Sequence, residues 1–133
     1  MHRLTLLLLA LILTASASAQ DNSTTEIDSL LPGTWAMTTQ IHDSRIEDET
    51  TFTSDNEVEE IRRVIHNGNV ATLNARGSWK VDGDTIVTTY TESSPPNFVP
   101  VGTVNRSKVT FIDEHQLSIS GEEGSTGTMH RVR

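Results

Sequence analysis

The tightest constraint on this chain is the rhythm of its turn signals. Asn67-Gly68 stands between two β-rich runs. A two-residue hairpin turn needs positive φ at both central positions, and Asn-Gly is the pair that tolerates it best. His42-Asp43-Ser44, Ser54-Asp55-Asn56, Asp82-Gly83-Asp84, Asp113-Glu114-His115 and the stretch from Gly121 to Gly124 punctuate the rest. Connections so short leave no room for crossovers, so successive runs pair as antiparallel neighbours. The spacing predicts strands at 34–42, 48–54, 57–66, 69–81, 84–92, 101–112, 116–120 and 126–132. The expected fold is all-β: an antiparallel up-and-down meander of about eight strands, closing into a small barrel.

Composition agrees once the first residues are set aside. From Gln20 onward the chain holds 17 threonines and ten valines in 114 residues, but only four leucines. β-branched residues suit a pleated surface, and the helix formers are scarce. One short helix is expected before the first strand. Ser23 can cap it, Glu26 stands three residues on, Ile27, Leu30 and Leu31 share a face, and Pro32-Gly33 stops it. Residues 56–68 carry two signatures. Asn56 as a cap, Glu59 three residues on, and Val58, Ile61 and Ile65 on one stripe read as a helix. A strand is preferred, because an Asn-Gly turn leading into a β-rich run needs a partner before it.

The first residues have another purpose. Met1-His2-Arg3 is basic, Leu4 to Leu13 is almost wholly apolar, and Ala17-Ser18-Ala19 is small. These are the parts of a signal peptide cleaved after Ala19, and the apolar run is half of the ~20 residues that span a bilayer. The expected organisation is a signal peptide at 1–19, a polar segment with the short helix at 20–32, and a barrel domain at 33–133. The mature protein is expected to be secreted or periplasmic, with no membrane anchor after cleavage. There is no cysteine, so the fold rests on burial and hydrogen bonds, and thiol chemistry is excluded.

After cleavage nine Lys and Arg face eighteen Asp and Glu. A field of that sign excludes nucleic acid as a partner and disfavours anionic lipid surfaces. The acids concentrate at 43–49 and 55–60, which reads as a solvated loop or edge. No motif supplies a catalytic residue: there is no nucleophile elbow, no His-Glu-x-x-His pair and no phosphate-cradling loop. His42, His66, His115 and His130 lie far apart and show no ligand spacing, so neither a metal nor a cofactor is expected. Asp82-Gly83-Asp84 lacks the remaining ligands of a calcium loop and reads as a turn.

Gly33-Thr34-Trp35 opens the first strand, and Trp35, Met37, Thr39 and Ile41 alternate on one face of it. Met129-His130-Arg131 closes the last strand. If the two strands meet, Arg131 can lie across the Trp35 indole. With Gly33, Trp35 and Arg131 in these positions, the chain resembles the lipocalin-like proteins, in particular small secreted bacterial domains. Gly77-Ser78-Trp79 with the turn at 82–84 is similar to their central hairpin. The chain departs from the family in being short and in lacking its disulfide.

The resemblance implies a calyx for a small hydrophobic ligand. Trp35, Met37, Phe52, Leu73, Trp79, Tyr90, Phe111 and Met129 are the candidate lining, with Leu117 and Ile119 beside them. The same side chains would serve equally to fill the barrel. Pro95, Pro96 and Pro100 make 92–102 a loop, and its Phe98 is a candidate lid over the opening. Two functions fit best, a ligand-binding module or an interaction module such as an inhibitor or envelope factor acting through its loops or an acidic edge; an enzyme using a calyx-lining His or acid is the weakest reading.

Overall fold

Ile41 and Ser44 face each other across a two-residue turn, in which His42 adopts a φ of 52°. The same economy recurs at Asn67 and Gly68, whose φ values of 50° and 78° are those a tight hairpin demands. A computed structural model describes residues 26–132. The expected signal peptide and the segment 20–25 lie outside the described residues.

Helix α1 (residues 26–30) leads into eight strands: β1 (Gly33–Ile41), β2 (Ser44–Phe52), β3 (Glu57–His66), β4 (Asn69–Asp82), β5 (Thr85–Ser94), β6 (Val104–Asp113), β7 (Gln116–Gly121) and β8 (Thr126–Arg131). Each pairs antiparallel with the next, and β8 returns to β1 to close the barrel. The meander is therefore the expected one. β2 starts four residues earlier than its apolar pattern indicates, because the turn at 42–43 leaves no slack. The ambiguous segment is a strand. Glu57–His66 pairs along its whole length with β4 and from Val58 onward with β2, and a helix there would leave two strand edges open. Asn56, with a φ of 65°, belongs to the preceding turn.

The alternation of strand direction gives the barrel two unlike ends. At one end stand α1 and the turns after β2, β4 and β6; at the other stand the turns after β1, β3 and β7 and the long loop 95–103. The apolar core sits at the helix end. Trp35 and Leu31 are wholly buried there, joined by Ile27, Trp79, Val109 and Leu117. Trp35 lies 6.1 Å from Phe111, and Phe52 meets Trp79 edge-on at 5.8 Å. Both indole N–H groups find carbonyls, Trp35 at Leu31 (2.8 Å) and Trp79 at Thr53 (3.0 Å).

Arg131 locks that end. Its guanidinium stands 4.3 Å over the Trp35 ring and donates to the carbonyls of Leu30, Pro32 (3.0 Å) and Glu114 (2.9 Å). One side chain thus ties α1, β1 and the β6–β7 turn together. Gly33 makes the junction between α1 and β1 with a φ of 139°, a conformation closed to side chains. Gly77 sits at a bulge in the β4–β5 ladder, where any Cβ would collide with the Thr89 carbonyl.

Candidate functional site

Above the packed end the inner face of the barrel changes character. Side chains alternate along a strand, so Phe52 pointing inward carries Thr50 and Asp48 inward with it. On β3 the inward Val58 likewise carries Glu60 and Arg62. The register sets Phe52 opposite Val58, Thr50 opposite Glu60, and Asp48 opposite Arg62. Three rows thus pass from apolar to charged within two turns of the pleat. Tyr90 and Thr88 of β5 and Asn105 and Ser107 of β6 face them across the lumen.

The charged groups form one network. Arg62 grips Asp48 with two hydrogen bonds, Nε to Oδ1 at 2.6 Å and Nη2 to Oδ2 at 3.1 Å. Asp48 is 7% exposed, while the Arg62 side chain that holds it keeps about a third of its surface in solvent. The Tyr90 hydroxyl donates to Glu60 Oε2 at 2.9 Å, while Glu60 Oε1 stands 3.7 Å from Arg62 Nη2. Burial pushes the Glu60 carboxyl above its usual range. The Tyr90 hydrogen bond opposes that shift, Asp48 adds to it, and Arg62 opposes it. Burial, with the Glu60 charge next, raises the Tyr90 phenol well above its ordinary value, so it stays a neutral donor. The Asp48 hydrogen bond holds Arg62 firmly protonated against its own burial.

These side chains border a cavity of about 180 Å³, floored by Phe52, Val58, Ile86 and Met129. The loop 95–103 stands at the same end, and none of its residues, Phe98 included, borders the cavity. It puts the Phe98 ring 5.5 Å from the Arg62 guanidinium, a cation–π contact that ties the loop to the charged wall. The Phe98 amide bonds Pro95 (3.0 Å) and the Val99 amide bonds Ser93 Oγ (3.0 Å), which gives the loop internal support. Met37, Asn105, Ser107 and Ile119 border both the cavity and a cleft of about 720 Å³ at the β1–β8 seam. There the β1–β8 ladder comprises only Trp35↔Arg131 and Ala36↔His130.

Of the side chains expected to line a calyx, Met37, Phe52, Tyr90 and Met129 border the cavity, as does Ile119. Trp35, Trp79 and Leu117 belong to the packed core, and Phe111 packs against it. Leu73 is half-buried beside Arg62 in the ladder and borders neither. The acid-rich stretches, expected as a solvated edge, prove divided by the pleat: Asp48 and Glu60 turn inward while Glu47 and Glu59 meet Arg45 and Arg76 outside. The network of Asp48, Glu60 and Arg62 escaped the sequence reading. Its signal was parity with Phe52 and Val58, masked by the charge of the neighbours.

The topology separates the histidines, with His42 and His66 at the loop end and His115 and His130 at the helix end. Among the described residues no group of acids and histidines is placed to hold a metal, and no helix is long and apolar enough to cross a membrane. Tyr90 is the one hydroxyl bonded to Glu60 among the described residues, and its raised pKa leaves it a poor nucleophile. The chain matches no protein-family model and no curated protein significantly.

Proposed function

We propose that this protein is an exported, non-enzymatic lipocalin-like barrel that binds a small ligand in the cavity bordered by Asp48, Glu60, Arg62 and Tyr90. The observation that carries the reading is the cavity of about 180 Å³ bordered by charged side chains in the upper half of the lumen. A barrel filled for stability alone gains nothing from Asp48, Glu60, Arg62 and Tyr90 inside, since apolar side chains of similar volume serve at least as well. Charges held in register around a space are what recognition requires. The lipocalin resemblance of Gly33, Trp35 and Arg131 points the same way, as those residues build the closed end against which such a space is held.

The cavity also narrows the ligand. At about 180 Å³ it lies below the ~300–1,000 Å³ of sites for drug-sized molecules, so long acyl chains do not fit within it. Its apolar floor and polar wall favour a compact molecule with one polar end. A solid barrel acting only through its acidic loops is less well supported, because a cavity of about 180 Å³ bordered by polar side chains remains in the upper lumen.

The test is a thermal-shift and calorimetric screen against a broad panel of small metabolites. Some members should raise the melting temperature, and a variant with the lumen filled, Thr88→Phe, should lose that response while remaining folded. A panel with no binder at millimolar concentration overturns the reading.

A further inference from the structure

The ligand class can be taken further, on the reading that the cavity is a binding site. We infer that its preferred occupant is a small organic cation, a compact ammonium compound whose charged end rests at Glu60 Oε1. The lumen holds two carboxylates and one guanidinium. Asp48 is satisfied by Arg62 at both oxygens, so the pair is neutral and closed. Glu60 receives the Tyr90 hydroxyl, a neutral donor, at Oε2, and the guanidinium it shares with Asp48 compensates its charge only in part. Its Oε1 has Arg62 Nη2 at 3.7 Å, too far for a hydrogen bond. An ammonium group brings the second positive charge that two carboxylates sharing one guanidinium lack, and three donors within hydrogen-bond reach.

Acceptors for the other two donors stand nearby. Thr50 lies directly opposite Glu60 in the β2–β3 ladder, and Ser107 borders the same space. Among the described residues neither hydroxyl has a protein hydrogen-bond partner. The body of the ligand would rest on Phe52, Ile86 and Met129. No lysine borders the cavity or the adjoining cleft, and the cleft carries Glu122 and Glu123 against Arg106. The approach is therefore as acidic as the interior, which raises the local concentration of a cation and repels an anion.

Three probes with one four-carbon body separate charge from size: n-butylammonium, 1-butanol and butyrate. The readout is the methyl resonances of Met37 and Met129 in the ¹³C-methionine-labelled protein at pH 8. Butylammonium is expected to bind at least tenfold more tightly than butanol, with butyrate the weakest. Glu60→Gln, which keeps an acceptor for Tyr90, should reduce butylammonium to the level of butanol; Glu60→Asp should lie between. The indole resonances of Trp35 and Trp79 report whether each variant is folded. Butanol or butyrate binding as well as butylammonium, or a Glu60→Gln variant with undiminished affinity, overturns the cation assignment while leaving a ligand site in place. Silence from all three probes overturns it too, and binders found elsewhere in the metabolite panel then decide whether the site itself survives.

Discussion

Trp35 and Glu60 are both interior side chains, yet they answer to different physics. Trp35 is wholly buried, its N–H is satisfied by Leu31, and Arg131 covers its face. Trp35→Ala should cost about 3–5 kcal/mol, measured by urea denaturation, and a loss under 1 kcal/mol would show that the ring does not anchor the closed end. Glu60 is different because its environment disfavours its charge. Its carboxyl titrates higher in the folded chain than its ordinary 4.5, so the folded state holds the extra proton between those two values. Stability therefore falls as pH rises through that window, and above it the ionised group is a net cost. Glu60→Gln removes the titration. Unfolding free energies of the two proteins should converge on acidification and diverge, in favour of the Glu60→Gln variant, as pH rises from about 4 to 8. Parallel curves would mean that Glu60 is as well solvated folded as unfolded.

The strands were legible because alternation and turn chemistry are local properties. Asn67-Gly68 fixed the β3–β4 register, and the short connections left the meander as the sole economical path. What was not legible is where a strand passes from packed to open, since Phe52, Thr50 and Asp48 share one face and only the barrel's shape decides which of them meets a partner. The role of Gly77 was equally hidden. In the sequence Gly77-x-Trp79 echoes Gly33-x-Trp35, but the two glycines do unrelated work: Gly33 supplies a positive φ, and Gly77 lets β5 approach at a bulge. An added Cβ at Gly77 meets backbone, with the Thr89 carbonyl carbon 2.8 Å away, so the neighbour cannot rotate aside. Gly77→Ala should lose about 3 kcal/mol or more by thermal or urea unfolding, well beyond the ~1 kcal/mol of an ordinary strand substitution. A neutral result would mean that the bulge is soft.

Taken whole, the barrel is closed by ladders of very unequal length. β3 and β4 pair over ten residues from Glu57↔Ser78 to His66↔Asn69, whereas β1 and β8 share two. The closure is firm only where Arg131 and Trp35 meet, and beyond Ala36 the two strands diverge along the cleft. Met37 fills part of the gap. It lies across Gly127, where the missing Cβ makes room for its sulfur. A side chain, not a hydrogen-bond ladder, therefore separates the cavity from solvent on that side, and side chains rearrange on far shorter timescales than ladders open. Hydrogen exchange should show this asymmetry directly. Amides of Met37–Ile41 that point towards β8 are expected to exchange orders of magnitude faster than those of the same strand that point towards β2. Gly127→Ala sharpens the test, because the added methyl would stand 2.5 Å from the Met37 sulfur and must displace it. If Met37 is the barrier, that variant should speed exchange and ligand release together while leaving the protection of β3 and β4 unchanged. Uniform protection along both edges of β1 would show instead that the seam is as closed as the rest of the wall.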